Sequence, residues 1–322
     1  MEHTGPAVID GTEKTAVEEP VPAANAAAPG ADGKVMKESI QKASVLIEAL
    51  PYIRAFEGKT VVVKYGGSAM TDPEIRRSTA EDIVLMRYVG MNPVVVHGGG
   101  PAISAMLKKL NVESKFHHGL RVTDDEVISI VEMVLAGSVN KDLVTLLNMM
   151  GGNAVGLSGK DANLLHATQV EVPDGADIGH VGQISEVNAQ IIEVLCRAGM
   201  IPVVAPIATD RRGGTWNVNA DTAAGEVAAA LKAEKLVFLT DTPGLLADKD
   251  DPSTLIHHLT SGEVAGLTER GIISGGMIPK INACVKGLEA GVNRTHVIDG
   301  RVPHSLLLEI FTDKGLGTLV SQ

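Results

Sequence analysis

Apolar positions along the chain fall into two rhythms. Short unbroken runs at 60–64 (TVVVK), 93–97, 153–157, 201–206, 235–240 and 295–298 have the length and β-branched character of strands buried on both faces. Between them, apolar residues return every three or four positions, which is the helix period. This predicts helices over 73–89, around Val127, Ile130, Val131, Val134 and Leu135 behind the cap Thr123-Asp124, and through an Ala-rich stretch ending at Lys232. Two more follow: one after Gly275-Gly276, with Met277, Ile281, Cys284 and Leu288 on one face, and one over 303–311. Strand and helix alternate, the signature of an α/β protein with a mostly parallel sheet and crossover helices.

The N-terminal region reads differently. Residues 1–35 are rich in Ala, Pro, Glu and Gly and lack aromatics, so they are expected to form a disordered leader. The leader is acidic, unlike an organellar transit peptide. Residues 37–56 predict an amphipathic helix with Ile40, Ala43, Leu46, Ile47, Leu50 and Ile53 on its apolar stripe, kinked or ended by Pro51. It either packs on its own domain or docks on another subunit. The expected organisation is a leader (1–35), a helical arm (36–58) and two lobes (59–206 and 207–322), with the boundary near Pro206.

Composition narrows the class. At 322 residues the chain can bury a sizeable core, and with 44% hydrophobic residues but 2% aromatics that core must be aliphatic. A net charge of −11 argues against nucleic acid or an anionic membrane as the main partner. Cys196 and Cys284 lack metal-ligand or CxxC spacing and fit buried thiols in a reducing compartment, so a cytoplasmic location is expected. No apolar run approaches transmembrane length.

The usual phosphate signatures are absent. Gly159-Lys160 is followed by Asp161 and preceded by Ala154 where a P-loop needs glycine, and Ile103 replaces the last glycine of a dinucleotide fingerprint after Gly98 and Gly100. Instead, glycine loops follow several strands: Gly66-Gly67, Gly98-Gly99-Gly100 and Pro243-Gly244. Any one of them alone is equally a tight turn. Together they point to a crevice at the carboxyl edge of the sheet, where backbone amides can converge on an oxyanion. Phosphoryl transfer asks chiefly for charge stabilisation. Lys64, ending the first strand, and Lys280, early in a helix, suit that need, although each taken singly reads first as a solvated lysine. Asp221 either sits in a helix first turn for dipole reasons alone or holds the two lysines through charge-assisted hydrogen bonds. Arg121 could clamp a carboxylate bidentately. His117 and His118 are expected in a solvated loop rather than as bases, because a carboxylate nucleophile is already ionised.

At these residues the chain resembles a known family. Lys64-Tyr-Gly-Gly-Ser-Ala-Met70, Val96-His-Gly-Gly-Gly-Pro101, Gly119-Leu-Arg-Val-Thr-Asp124, Asn217-Val-Asn-Ala-Asp221 and Gly275-Gly-Met-Ile-Pro-Lys280 are similar, in matching order, to motifs of the N-acetylglutamate kinase branch of the amino-acid kinases. The resemblance spans residues 37–322. It implies a three-layer αβα sandwich on a mainly parallel sheet, with N-acetyl-L-glutamate bound by the N-terminal lobe and MgATP by the C-terminal lobe. The implied product is N-acetyl-L-glutamyl 5-phosphate, in arginine biosynthesis.

By the same resemblance, Lys64 and Lys280 would stabilise the transferring phosphoryl group, Asp221 would orient both, and Gly66 and Gly67 would offer amides. Gly99, Gly100, Arg121 and Asn217 would hold acetylglutamate. Asp241, Thr242, Gly244, Leu246, Ile272, Ile273 and Ser274 would line the nucleotide site, with Mg2+ carried by ATP phosphates and water and no dedicated protein ligand. The segments 47–54 and 308–318 resemble those of the arginine-inhibited branch, a hexamer built as a trimer of dimers. Tyr52, His296, Glu309 and Gly315 would then form the arginine site. The alternatives are another amino-acid kinase, or an arginine sensor without catalysis. Loss of the lysines or Asp221 would mark the sensor, and all three are present.

Overall fold

The computed structural model describes residues 32–312 and 315–322, so residues 1–31 of the expected leader lie outside it. The described residues divide after Glu48 into two units, 32–48 and 49–322. Helix α1 (Asp32–Phe56) begins inside the expected leader and runs past Pro51 without ending there. Proline removes one helical hydrogen bond, but the last turn is held by packing: Phe56 is buried in the core, with the Lys235 ammonium 5.2 Å from its ring centroid.

The unit from Ala49 onward starts with strand β1 (Thr60–Tyr65), a 3-10 turn (Gly67–Met70) and α2 (Pro73–Tyr88). Asp72 caps α2, accepting from the amides of Glu74 and Ile75 at 2.9 and 3.1 Å. β2 (Asn92–His97) runs through the glycine triplet into α3 (Gly100–Lys109), with Pro101 in the first turn as expected. A hairpin, β3 (Phe116–His117) and β4 (Leu120–Arg121), precedes α4 (Asp125–Glu132), capped by Asp124. A π-helical turn (Met133–Val139) and α5 (Asn140–Met149) then extend what the apolar spacing predicts as one helix. The chain continues through β5 (Ala154–Ser158), β6 (Leu165–Gln169), β7 (Val181–Val187), α6 (Gln190–Arg197), β8 (Ile201–Ala205), β9 (Ile207–Thr209) and β10 (Thr215–Val218). The remainder comprises α7 (Ala220–Ala230), β11 (Lys235–Thr240), β12 (His258–Thr260), α8 (Val264–Glu269), α9 (Met277–Glu289), β13 (Arg294–Asp299), α10 (Ser305–Ile310) and β14 (Thr318–Ser321).

Eight strands form the central sheet in the order β12-β14-β13-β11-β1-β2-β8-β5, parallel except for β13 against β14. Helices cover both sides, so each strand alternates between two cores. Val62, Leu236 and Phe238 pack into one, and Val61, Val63, Val237 and Leu239 into the other. That is why these runs read as continuously apolar. A second, closed sheet, β10-β7-β6-β9, is built from the middle of the chain, between Leu165 and Val218. The strand reading passed over β6 and β7, which mix buried and exposed positions and carry polar side chains such as Thr168 and Gln183, over β9, which is buried but only three residues long, and over β10, which is mostly half-buried and includes Asn217. The expected polar turn at 210–214 connects β9 to β10, closed by the Asp210 carboxylate on the amides of Arg212 and Gly214.

Sequence halves segregate within the central sheet. β1, β2, β8 and β5 fill one side and β11, β13, β14 and β12 the other, so β1 and β11 meet where the strand order reverses. The crevice at such a switch point, outside the carboxyl ends of the strands, is where an α/β sheet leaves room for ligands.

Candidate functional site

β1 delivers Lys64 to that crevice, and the chain turns sharply behind it. Gly67 has φ of +63°, and a Cβ there would lie 2.4 Å from the Asp241 carboxylate that follows β11. Both the backbone and the space therefore require glycine. On the opposite wall, the Asn219 side chain caps α7 by accepting from the amides of Asp221 and Thr222 at 2.9 and 3.1 Å. This sets Asp221 in the first turn, aimed at the crevice.

Asp221 bridges the two lysines. Its Oδ1 lies 3.0 Å from Lys64 Nζ and its Oδ2 2.7 Å from Lys280 Nζ. Lys64 and Asp221 are 8% and 5% exposed, so water screens that pair little, while Lys280 is half-buried. Burial pushes the Asp221 carboxyl up, but Lys64 and Lys280 more than offset it and hold it below the ordinary carboxylate range. One anion between two cations leaves a net positive charge, directed at whatever enters.

Three cavities meet around the triad. One of about 210 Å³ is lined by Lys64, Gly99, Gly100, Arg121, Asn217 and Asp221. Every residue expected to hold acetylglutamate lines it. Arg121 is buried, and its guanidinium donates to Gly100 O at 3.2 Å, to Ser104 Oγ at 2.9 Å and to Ser114 Oγ, with its carbon 4.6 Å from the Phe116 ring centroid. These partners are neutral, so its charge is available to an incoming carboxylate. Asn217 Nδ2 donates to Thr123 Oγ1 at 3.2 Å, and Thr123 Oγ1 donates to Arg121 O at 2.7 Å. The arginine and the asparagine are thus held as one wall.

A second cavity of about 340 Å³ is lined by Asp241, Thr242, Gly244, Leu246, Ile272, Ser274 and Lys280, among others. These are the residues expected around a nucleotide, apart from Ile273, whose side chain is buried in the core. A third, about 360 Å³, runs from Lys64, Gly66 and Gly67 past Arg76 to Ser138, Val139 and Asp142.

The sequence reading did not single out the support beneath the glycine triplet. His97, fully buried, places Nδ1 2.7 Å from Gly98 O and Nε2 3.1 Å from Asn140 Nδ2. Burial pushes the imidazole down to about 4, so it is neutral, donating from Nδ1 and accepting at Nε2. Asn140 also donates to Val203 O at 2.9 Å. It begins α5 immediately after the π-helical turn, a feature often found at functional sites. Its sequence signal is slight, because Lys141, Asp142 and Asn148 make a polar residue ordinary in this helix.

The residues expected to bind arginine gather elsewhere. His296 Nδ1 lies 2.6 Å from Glu309 Oε1, both buried, and Leu316 N donates to Glu309 Oε2 at 2.9 Å. A Cβ on Gly315 would stand 3.0 Å from that same oxygen. Burial lowers His296; burial also pushes Glu309 up, but its hydrogen bond with His296 leads the contacts that bring it below the ordinary range. His296 Nε2 has no partner among the described residues. Lys235, whose Nζ is 3.5 Å from Glu309 O, joins the group and was not foreseen. Tyr52 is half-buried near the end of α1. Cys196 and Cys284 are both buried free thiols, and no helix among the described residues is long and apolar enough to cross a membrane.

Comparison with known proteins agrees with this geometry. The chain is 56% identical over 290 residues to an acetylglutamate kinase of Pelotomaculum thermopropionicum, covering 88% of this chain and 98% of that one. An acetylglutamate kinase of Caldanaerobacter subterraneus is 55% identical over 285 residues, with 88% and 95% covered. Among solved structures, an N-acetylglutamate synthase from Neisseria gonorrhoeae with coenzyme A and N-acetyl-glutamate superposes with a TM-score of 0.76 at 29% identity, over 87% of this chain and 63% of that one. The carbamate kinase of Giardia lamblia bound to AMP-PNP shares the fold, with a TM-score of 0.59 at 16% identity over 82% and 99% of the two chains. Residues 59–299 match the amino acid kinase family, and the chain belongs to it.

Proposed function

We infer that the protein is an ATP-dependent kinase that phosphorylates the side-chain carboxylate of N-acetyl-L-glutamate, giving N-acetyl-L-glutamyl 5-phosphate and ADP. The observation that carries this reading is the Lys64–Asp221–Lys280 triad, with its carboxylate buried, between the two cavities. In the reaction, a carboxylate oxygen attacks the γ-phosphorus while the bond to the bridging oxygen of ADP breaks. No base is needed, because the nucleophile is already ionised. Lys64 and Lys280 neutralise charge on the transferring group, and the Asp221 carboxylate keeps both ammonium groups in place through the step. Arg121 would pair with the substrate's α-carboxylate, and Asn217 would orient it.

Magnesium fits here as a companion of the nucleotide. Both Asp221 oxygens already face ammonium groups, so ATP phosphates and water would supply the ligands. The ion would add positive charge along the phosphates.

The reading extends to control. The buried His296–Glu309 pair beside Gly315 offers an anionic partner for a guanidinium, as an arginine site requires. Apolar side chains exposed on α1, including Ile40, Leu46 and Ile47, favour an arm that joins subunits, consistent with a hexamer. The lobes 59–206 and 207–322 would bind acetylglutamate and ATP respectively, in a cytoplasmic enzyme. The decisive assay is ATP turnover with N-acetylglutamate, glutamate, aspartate or carbamate, with and without arginine. Turnover is expected with N-acetylglutamate alone, reduced by arginine; comparable rates with all four acids would overturn the substrate assignment.

A further inference from the structure

Away from the triad, the tip of the β3–β4 hairpin gathers three metal-ligating side chains. His118 and Gly119 join the strands with φ of 47° and 79°, the pair of left-handed residues that a two-residue type I′ turn requires. Glycine adopts this conformation freely; a histidine does so at a cost. The turn brings the two imidazoles together, with ring centroids 4.4 Å apart. Both then face the Asp174 carboxylate, on the loop between β6 and β7. His117 Nε2 lies 3.1 and 2.9 Å from its two oxygens, and His118 Nε2 lies 3.6 Å from the second. The ligand atoms of all three residues fall within 4.8 Å of one another. Asp174 is itself oriented by the Ala176 amide, at 3.3 Å, and its hydrogen bond with His117 leads the contacts that keep the carboxyl below its ordinary range.

We propose that His117, His118 and Asp174 form a binding site for a divalent transition metal ion of the zinc class, with the remaining position open to water. The spacing suits such an ion. Zinc bonds of about 2.0–2.1 Å in a tetrahedron place neighbouring ligand atoms roughly 3.3 Å apart, so the present separations need only small adjustments. Two imidazoles and one carboxylate favour zinc, nickel or copper over magnesium or calcium, so the ion accompanying ATP would not compete here. The side chains are 31%, 53% and 49% exposed, which gives an ion a direct approach. Bound metal ties the hairpin tip to the β6–β7 loop. Because Arg121 lies on β4, three residues from His118, the tie restrains the strand that carries it. That last consequence rests on the substrate reading of Arg121; the metal site does not.

The test uses the full-length, tag-free protein after EDTA treatment and buffer exchange, alongside His118→Asn and Asp174→Asn. Asparagine tolerates the left-handed turn, and both positions are largely exposed, so folding is checked by thermal unfolding without metal. Calorimetric titration with Zn2+ should give one equivalent per chain at this site in the wild type, lost or weakened at least about tenfold in each variant. Co2+ should give a visible absorption band in the wild type alone. Zn2+ should also slow hydrogen exchange across 115–121 and 172–176 only when all three ligands are present. Equal Zn2+ binding by the three folded proteins, or none by the wild type, overturns the assignment.

Discussion

Lys64 occupies a slot with almost no slack. Its ammonium lies against Asp221 on one side and so close over Gly66 that a Cβ there would sit 2.4 Å from it. A guanidinium keeps the charge but is planar and broader. Lys64→Arg is therefore expected to lower kcat by about a hundredfold or more, while N-acetylglutamate still binds with a near-normal KM. Steady-state kinetics check this, and unchanged turnover would remove the lysine from the chemistry. Asp82 makes a different residue-scale case. It is fully buried on α2, and burial pushes its carboxyl up to about 6, only partly offset by His304, whose Nδ1 lies 2.6 Å away, and by the first amides of α10. The folded pKa thus lies above the unfolded one. The stability this group contributes is present below pH ~4 and is lost as pH rises through ~6. Two pKa units correspond to about 3 kcal/mol at most. Urea unfolding of Asp82→Asn against the wild type between pH 4.5 and 7 should show the difference between them changing with that sign. A constant difference would mean the carboxyl titrates normally.

Among the elements, α1 carries the sharpest prediction. Deleting residues 1–48 leaves the second compact unit whole. Catalysis should persist within about threefold, while the mass in solution should fall to that of a dimer and arginine should inhibit less. Light scattering with an inhibition curve decides it, and an arginine-sensitive hexamer after deletion would refute the arm. How far elements were legible follows from their burial. Strands such as β1 and β11, covered on both faces, announce themselves as runs of Val, Leu and Phe. The four strands of the closed second sheet carry Thr, Gln, Asn and Trp and give no such signal. The site behaves likewise. Lys64, Asp221 and Lys280 stand beside glycines or at helix starts, where their chemistry shows in local sequence. The roles of Asn140, Lys235 and Phe56 come only from what tertiary contact puts next to them, respectively His97, Glu309 and Lys235.

At the scale of the whole molecule, each half of the chain supplies one wall of the crevice: Lys64 comes from the first, Asp221 and Lys280 from the second. The same arrangement governs how the chain comes to be folded. β1 finds its partner β2 soon after it is made, with Val61 beside Pro93, but its other edge pairs with β11, where Val61 meets Lys235. During synthesis, that second edge, an apolar and unpaired row of backbone groups, stays open until most of the chain has left the ribosome. The strand at the centre of the finished sheet is thus a temporary edge strand, exposed to wrong pairing for longer than any that follow it. The strand that fills the open edge, β11, lies between Asp221 and Lys280 in the chain, so neither the β1–β11 pairing nor the triad can be complete before the second half of the chain has been made.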